Sequence, residues 1–483
     1  MLVTDVASAA PGAVDEGRRR WILIATIIGS SMTFVDGTVV NIALPTIGRD
    51  LNAGLSAQQW VMLSYSLAVA SLYIVSGALG DRYGRWPLFV GGVAGFAVAS
   101  ALAGVAQSTE MLVAARVLQG VAGALLTTNS LALLRATYAE DSGRAVGLWT
   151  AWSGIGTMLG PPLGGLLVQY ASWEWIFFIN LPGAVLALAM AVAGRSPERL
   201  PEHPRPVQVF GAATIAVTFG TLTYGLIEGA QAGFGTVLWA FGLSAVGLVL
   251  LVISERRSSN PLLPLELLRS RVFGVANVYT WLVYAALGGS TFFLALYLQS
   301  AAVGYEPARA SLIFLPISLV MFFLAPRFGK LADRDGPRRW LIWAPLVMAV
   351  GLFLLTLVTD TNPLLPLPGV LVFALGLAML VAPITATALK AAPDRYAGLA
   401  AGVNTTVSRL GGLMATPLIG VVITLVFASA SPHPNADPFA THVVSADQRD
   451  ATVTAFRAGM GVAVALCVAG SLLAARGLRR DDR

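Results

Sequence analysis

Long apolar runs follow one another along almost the whole chain, and short polar segments separate them. A helix needs about 20 apolar residues to cross the hydrocarbon core of a membrane. Fourteen runs are close to this length, and they predict fourteen transmembrane helices, which we number 1 to 14. The helices are predicted at residues 21–44, 58–79, 87–107, 110–133, 144–169, 174–194, 208–228, 235–254, 272–299, 307–329, 338–358, 364–389, 397–428 and 453–475. The pattern indicates an all-α polytopic membrane protein.

The composition excludes an ordinary soluble protein. Of the 483 residues, 56% are apolar and 12% are charged, whereas a soluble domain carries about 25% charged residues. The mean hydropathy is +0.74. The first run is too long for a cleaved signal, carries Asp36 in its middle and lacks a small-residue cleavage site. We therefore expect it to remain as helix 1.

Basic residues are concentrated on one side of the predicted membrane topology. The two tails, the loops after even-numbered helices and the helix ends that flank these loops hold 25 of the 31 Lys and Arg residues. Because cytoplasmic loops are enriched in Lys and Arg, both termini are expected in the cytoplasm and the protein in the cytoplasmic membrane. The long loop on the other side, residues 429–450, is rich in Pro, Asp, Ser and His and is predicted to be mobile and replaceable.

The chain contains an internal repeat. The segment GALGDRYGR at 77–85 recurs as GKLADRDGP at 329–337, an offset of 252 residues. The same offset relates Trp21, at the start of helix 1, to Phe273, at the start of helix 9. LGPPLGG at 159–165 corresponds to ATPLIGV at 415–421, with the offset drifted to 256. Paired helix bundles around a central site are typical of transporters. A chance repeat in basic loops is the alternative, and the shared register argues against it.

The repeat predicts two six-helix bundles with an inserted helix pair between them. The predicted parts are a cytoplasmic N-terminal tail at 1–20, an N-terminal bundle at 21–194, linkers with the inserted helices 7 and 8 at 195–271, a C-terminal bundle at 272–475 and a cytoplasmic tail at 476–483.

These segments resemble motifs of the major facilitator superfamily, and more narrowly of its fourteen-helix drug/proton antiporter branch. GALGDRYGR is similar to the loop motif of the superfamily. RVLQGVAGA at 116–124 resembles the helix 4 motif, and GTMLGPPLGG at 156–165 resembles the antiporter motif. VDGTVVNIALP at 35–45 resembles the helix 1 signature of the branch, and WEWIFFINLP at 173–182 resembles its helix 6 signature. Glu174, at a place usually basic, and Gly183, one place early, depart from the last pattern.

Asp36 is a carboxylate in the middle of a predicted membrane helix. A charged side chain there costs about 2.5 to 3.5 kcal/mol on insertion scales, so it should be protonated, paired or exposed to a wet cavity. Burial disfavours the charged form and a nearby cation favours it. We therefore expect a group that binds and releases a proton as its exposure changes. A permanent structural hydrogen bond to a neighbouring helix is the alternative.

Two arginines in the apolar runs are candidates for the same proton-coupling site. The resemblance implies a role in proton transfer for Arg116 in helix 4, with Asp36 as its partner; alternatively, Arg116 extends to the lipid headgroups. Arg409 in helix 13 is predicted at a depth of about 18 Å. It could attract an anionic substrate group, neutralise Asp36 in one conformation or pair with backbone carbonyls. Glu228, at the end of helix 7, is expected to be solvated at the membrane interface.

The resemblance also implies a latch that closes the cytoplasmic side by pairing across helices. Its residues are Gly77, Asp81, Arg82, Gly84 and Arg85 in the first half and Asp333 and Arg334 in the second. Simple anchoring by positive charges is the alternative, but it leaves the two aspartates unexplained.

The antiporter motif gives helix 5 a face that lacks side chains. The candidate residues of the motif are Gly156, Gly160, Pro161, Gly164 and Gly165. Glycines four residues apart allow a neighbouring backbone to approach closely, and prolines bend a helix. Such a face suits sliding between conformations, although static tight packing is an equal alternative.

In the family, helices 1, 2, 4, 5, 9, 10, 12 and 13 line the substrate cavity. The resemblance makes the candidate cavity residues Tyr65, Asn129, Trp152, Asn277, Trp281, Tyr284, Phe314 and Asn404. Mostly apolar and aromatic side chains suit a bulky lipophilic compound, which could be cationic near Asp36. Ordinary packing is the alternative for each residue.

The sequence lacks the motifs of the common enzyme classes. It contains no GxxxxGK[ST] phosphate loop and no GxSxG, HExxH or CxxC motif. It has one cysteine and three histidines, and the histidines lie outside the long apolar runs, so neither a disulfide framework nor a His-rich metal centre is expected. We expect no enzyme, no metal and no cofactor, with the proton gradient as energy source.

The combined prediction is proton-coupled efflux of lipophilic drugs or antibiotics by alternating access. The expected partners are the lipophilic substrate, protons and membrane lipids, without nucleic acid, and the protein is expected to be a monomer. Export of a lipid or a secreted metabolite by the same mechanism is one alternative. A membrane sensor that does not transport is another, and it leaves Asp36 and Arg116 without a purpose.

Overall fold

The computed structural model describes residues 16–138, 141–195, 209–257, 270–359, 362, 364–391, 397–441 and 445–478. These residues form helices and contain no strand. Helical segments occupy the fourteen predicted positions. We label them α1 (Glu16–Asp50), α2 (Leu55–Tyr83), α3 (Arg85–Gly104), α4 (Thr109–Thr137), α5 (Ser142–Tyr170), α6 (Trp175–Ala193), α7 (Val209–Ala232), α8 (Leu238–Arg257), α9 (Arg271–Gln299), α10 (Pro307–Asp335), α11 (Pro337–Leu355), α12 (Pro366–Lys390), α13 (Ala397–Ala430) and α14 (Ala446–Gly477).

Most of these helices are suited to a membrane. Among the described residues, twelve helices are long and apolar enough to cross one, and α2 makes a thirteenth if its two parts, bent by 53°, are counted as one span. The remaining segment, α5, is a continuous helix of 29 residues that is rich in glycine and contains two prolines. Two helices are interrupted, α6 at Ile179 and α10 between Leu312 and Leu315. The prediction of an all-α polytopic fold is confirmed.

The helices form two groups with the inserted pair beside them. In the N-terminal group, α1 to α6, helix α1 packs on α5, and α4 packs on α2 and α3. In the C-terminal group, α9 to α14, helix α9 packs on α13, and α11 packs on α12. We call the side on which Glu16 and Leu478 lie the terminal face, and the other side the opposite face.

The inserted helix α7 contacts both groups. It packs on α8, on α2 of the N-terminal group and on α13 of the C-terminal group. Leu63 of α2, Ile227 of α7, and Leu413 and Met414 of α13 form one buried apolar cluster. The inserted pair therefore lies along one side of the boundary between the groups.

The repeat is visible in the backbone as well as in the sequence. Gly84 separates α2 from α3 and has φ 99°, and Gly336 separates α10 from α11 and has φ 85°. The two positions are 252 residues apart, the offset of the sequence repeat. A residue with a side chain rarely adopts positive φ, so glycine is required at both turns.

Hydrogen bonds between the two groups occur toward the opposite face. The side-chain amide of Gln299 on α9 donates to the carbonyl oxygen of Ile42 on α1 at 3.0 Å. Gln169 on α5 donates to Glu306 at the start of α10, also at 3.0 Å. These contacts hold the groups together at this face.

The long loop after α13 is partly fixed in place. Phe439 is 3% exposed, and its ring centroid lies 6.0 Å from that of Phe293 on α9. The hydroxyl of Thr452 on α14 donates to the carbonyl oxygen of Pro438 at 2.8 Å, and Gln58 on α2 donates to Asp437 at 3.4 Å. The prediction of a wholly mobile and replaceable loop is therefore wrong for residues 437–440, because tertiary packing buries Phe439.

Candidate functional site

An ion pair between α1 and α4 lies inside the N-terminal group. Arg116 Nη1 is 2.5 Å from Asp36 Oδ2, and both side chains are fully buried. The predicted pairing of these two residues is therefore present. The alternative, in which Arg116 extends to the lipid headgroups, is inconsistent with its complete burial.

Two amides complete the surroundings of the Asp36 carboxylate. Gln119 Nε2 on α4 donates to Asp36 Oδ1 at 3.2 Å, and Asn180 Nδ2 on α6 donates to the same oxygen at 3.3 Å. Both amides also donate to the hydroxyl of Ser100 on α3, at 2.8 and 3.3 Å. Both oxygens of the carboxylate thus have protein partners, contributed by two other helices.

The guanidinium of Arg116 has partners of its own. Its Nε donates to the carbonyl oxygen of Val61 on α2 at 3.2 Å, and Nη1 also donates to Gln119 Oε1 at 2.9 Å. The Tyr65 ring lies 4.4 Å from the guanidinium carbon, within the range of a cation–π contact. Nη2 is buried and has no hydrogen-bond partner among the described residues.

This arrangement can couple a proton to a structural change. The ionised pair has no net charge, which makes its burial tolerable, whereas removal of one partner from such a pair typically costs about 3 to 5 kcal/mol. Protonation of Asp36 would remove the attraction to Arg116. A single proton could therefore alter the contact between α1 and α4.

The structure does not bring Arg409 to the buried pair. Arg409 on α13 is partly buried, and its guanidinium carbon lies 5.3 Å from the ring centroid of Tyr73 on α2. Its Nε is buried without a hydrogen-bond partner among the described residues. The partners of Asp36 are Arg116, Gln119 and Asn180. Fixed pairing of Arg409 with backbone carbonyls is not observed for the described part of the chain.

The predicted latch residues lie at the terminal face, where they form pairs within each group. Asp81 at the end of α2 is 3.0 Å from Arg85 at the start of α3. In the second half Pro337 replaces the arginine, and Asp333 lies 3.7 Å from Lys390 on α12. Among the other predicted latch residues, Gly77 faces Thr128 on α4, and Gly84 forms the turn after α2. Arg82 lies over the Tyr83 ring, and Arg334 lies 3.8 Å from Asp335. The role of these residues as a latch that closes the cytoplasmic side remains a prediction.

The glycines of the antiporter motif allow α5 to make two close contacts. A Cβ atom at Gly164 would lie 2.9 Å from the carbonyl oxygen of Val39 on α1, and Gly156 and Gly160 face α1 in the same way. Gly165 faces α10 instead, where an added Cβ would lie 2.7 Å from the carbonyl oxygen of Pro307. The helix continues through Pro161. This face packs tightly in the structure, and its role in sliding remains a prediction.

The predicted cavity residues have different surroundings. Asn404 on α13 donates to Thr280 and Asn277 on α9 at 3.0 and 3.4 Å, and Asn129 is completely buried between α4 and α2. The remaining five are Tyr65 and Phe314, which are buried, Trp281 and Tyr284, which are partly buried, and Trp152, which is exposed. A separate cavity of about 450 Å³ at the terminal face of the C-terminal group is lined by Asp333 and Lys390, and by none of these eight.

Sequence reasoning did not identify Ser100 or Asn180. Both are uncharged polar residues in apolar runs, where such residues are common in membrane helices and form contacts between them. Asn180 does lie in the helix 6 signature WEWIFFINLP, which is the one signal that could have pointed to it. Glu228 is also less solvated than expected, because it is partly buried and accepts a hydrogen bond of 2.9 Å from Ser56 on α2.

Comparison with known proteins extends these observations. Residues 26–416 match the sequence model of the Major Facilitator Superfamily. Multidrug resistance protein Stp of Mycobacterium tuberculosis is 35% identical over 434 residues, which cover 88% of this chain and 80% of that protein. The tetracenomycin C resistance and export protein of Streptomyces glaucescens is 34% identical over 417 residues, which cover 86% of this chain and 77% of that protein.

A solved structure has the same fold. It is a bacterial homologue of the human lysosomal transporter Spinster in an inward-facing, unoccupied conformation. The TM-score is 0.69, the identity is 17%, and the match covers 97% of this chain and 99% of the other. The family match and these relatives identify an integral membrane transporter, not an enzyme, and this chain belongs to the Major Facilitator Superfamily.

Proposed function

We propose that this chain exports drugs or antibiotics across the cytoplasmic membrane in exchange for protons, by alternating access. The observation that carries the proposal is the enclosed Asp36–Arg116 pair, with both carboxylate oxygens held by protein donors. The names of the two relatives, a multidrug resistance protein and a resistance and export protein, support drug efflux. The proton gradient supplies the energy, and no cofactor takes part.

In the proposed mechanism, the proton binds to the Asp36 carboxylate. Its loss of charge weakens the contact with Arg116, which keeps its bonds to Gln119 and to the Val61 carbonyl oxygen. Helix α1 is then free to shift relative to α4 along the glycine face of α5. Proton release restores the pair. Because the pair forms only when Asp36 is ionised, the proton-loaded and proton-free proteins favour different arrangements of the helices.

The orientation is part of the proposal. The terminal face is cytoplasmic, as the concentration of Lys and Arg residues on that side supports. The hydrogen bonds toward the opposite face, such as Gln299 to Ile42, then close the external side. The pairs Asp81–Arg85 and Asp333–Lys390 supply the charged residues of the cytoplasmic latch.

Asp36→Asn tests the proposed coupling. Asn keeps the size of the side chain but cannot exchange a proton, so export against a concentration gradient should be lost while downhill movement of the same drug remains. The measurement is export of a fluorescent lipophilic drug by proteoliposomes with an imposed pH gradient. Substrate-dependent proton release from the same vesicles should also disappear.

Asp50→Asn is the matched control on the same helix. Asp50 lies at the exposed end of α1, beside Arg49, and its substitution should leave uphill export unchanged. Uphill export by Asp36→Asn at the wild-type rate would remove Asp36 from the coupling mechanism. A cooperative thermal unfolding transition above the assay temperature, even at a midpoint below that of the wild type, shows that the variant is folded.

A further inference from the structure

Asp36 is poorly placed to attract a cationic substrate in this structure. The side chain is completely buried, Arg116 neutralises its charge, and Gln119 and Asn180 occupy its second oxygen. A cation could reach this carboxylate only after those contacts open. The sequence-based expectation of a cationic compound near Asp36 therefore lacks a free negative charge to act on.

Arg409 presents the opposite situation. No acidic side chain lies within 4.0 Å of it among the described residues, and its Nε is buried without a hydrogen-bond partner. The guanidinium keeps its positive charge under all physiological conditions. Tyr73 covers one side of the group but leaves the charge uncompensated.

Arg409 lies deep along α13, where α13 faces α2 of the other group. It lies twelve residues after the first residue of α13, which corresponds to about 18 Å along the helix axis. Tyr73 belongs to α2 of the other group, so Arg409 lies at the boundary between the groups.

We propose that the exported compound carries an anionic oxygen group, such as a carboxylate, sulfonate or phenolate, on an aromatic body, and that Arg409 binds this group. The inference rests on the proposed export function and narrows its substrate class. A guanidinium forms short, charge-assisted hydrogen bonds to such oxygens, while Tyr73 offers an aromatic surface beside them. A lipophilic cation would be repelled by the same charge.

Two probes that share one ring system can test which sign of charge the protein prefers in a bound compound. Pyrene-1-sulfonate and pyrenyltrimethylammonium are fluorescent and differ mainly in charge. Their binding to the protein in nanodiscs of neutral lipid is measured by fluorescence anisotropy, with empty nanodiscs subtracted. The sulfonate should bind at least about tenfold more tightly than the ammonium compound, a difference typical of one charge–charge contact in a partly solvated site. Tighter binding of the ammonium compound, or equal binding of both, would overturn the proposal.

Variants assign the effect to Arg409. Arg409→Gln should weaken sulfonate binding by about tenfold or more, and Arg409→Lys should weaken it less, because lysine keeps the charge without the planar fork. Arg20→Gln removes the same charge from an exposed side chain and should change nothing. Unchanged affinity in Arg409→Gln would refute the role of Arg409, and the wild-type comparison decides the charge preference even if this variant does not fold.

Transport of the same probes separates this inference from the proposed function. Proton-driven export of the ammonium compound alone would leave drug efflux standing and overturn the anionic substrate class. Sulfonate binding that depends on Arg409, without proton-driven export of either probe, would support the binding site and contradict the proposed function.

Discussion

At the scale of single residues, the Asp36 carboxylate is stabilised by several donors together. Arg116, Gln119 and Asn180 each donate to it, and Ser100 orients the two amides. A buried ion pair is stable only when its remaining hydrogen-bonding groups are also satisfied. Gln119, Asn180 and Ser100 satisfy the hydrogen-bonding groups around the Asp36 carboxylate, so a substitution at any one of them should weaken the ion pair.

Gly84→Ala and Gly336→Ala should both destabilise the protein. Each glycine has positive φ with extended ψ, a conformation that costs a residue with a side chain about 1 to 3 kcal/mol. The two variants should show similar losses because the positions are equivalent in the repeat. Thermal unfolding in detergent, followed by tryptophan fluorescence, measures the effect.

Gly91→Ala serves as the control for these turns. Gly91 lies inside α3, and a Cβ atom there would meet nothing within 4 Å. Alanine in the interior of a helix is more favourable than glycine by about 0.5 to 1 kcal/mol. A loss of stability in Gly91→Ala equal to that in Gly84→Ala would contradict the backbone explanation.

The residues of the site differ in how well they can be predicted from the sequence. Asp36 and Arg116 could be predicted because charged residues are rare in apolar runs, and their contact could be inferred from the family resemblance. Ser100 could not, because a small polar residue in a membrane helix has no distinguishing chemistry until its neighbours are known; for Asn180, its place in the helix 6 signature was the one available signal. The pairing of Arg409 with Tyr73 depends on the meeting of the two groups, which local sequence does not encode.

At the scale of helices, α5 connects the two groups through its glycines. One set faces α1, while Gly165 on a neighbouring side faces the start of α10. The helix therefore touches both parts of the molecule with backbone rather than side chains. Such contacts leave little room for added atoms.

Gly164→Ala should separate α5 from α1. The new Cβ atom would lie 2.9 Å from the backbone oxygen of Val39, and backbone cannot move aside without shifting a helix. Overpacking of this kind costs about 1 to 3 kcal/mol. We expect a lower unfolding temperature and slower export, measured in detergent and in proteoliposomes respectively.

Gly154→Ala is the matched control in the same helix, since a Cβ atom there would meet nothing within 4 Å. It should be neutral or slightly stabilising. If both substitutions slowed export equally, helix propensity and not the contact with α1 would be the cause.

The helices themselves were largely predictable, whereas the burial of Phe439 in the long loop was not. Apolar runs of membrane-spanning length locate each helix, including α5, whose glycines and prolines do not break it. The burial of Phe439 arises from contacts between distant segments, whereas the breaks in α6 and α10 fall just before Pro182 and Pro316, which lack the backbone N–H that a helix uses. A pattern of apolar and polar positions carries no information about such contacts.

At the scale of the whole molecule, the inserted pair is attached differently to the two groups. Helix α7 is linked to α2 by the hydrogen bond from Ser56 to Glu228 and by the aromatic contact between Trp60 and Tyr224, with ring centroids 6.4 Å apart. Toward α13 it presents Ile227 to an apolar cluster. Apolar contacts are non-directional, so α7 should move with α2 and slide along α13.

Disulfide cross-links can test this expectation in a Cys467→Ala background. Oxidised Ser56→Cys/Glu228→Cys, which joins α7 to α2, should retain export, and oxidised Ile227→Cys/Met414→Cys, which joins α7 to α13, should block it. Reduction should restore the second variant. Full export by the oxidised Ile227→Cys/Met414→Cys variant would show that α7 does not slide along α13.

The enclosure of the Asp36–Arg116 pair has an electrical consequence. The ionised pair is neutral as a unit, so an applied voltage exerts almost no force on it. Once Asp36 is protonated, the uncancelled charge of Arg116 remains inside the membrane, and its displacement there is worth a fraction of the about 2.3 kcal/mol that moving one charge fully across 100 mV costs. Voltage should therefore speed or slow the step in which the proton-loaded protein rearranges and leave the return step nearly unaffected.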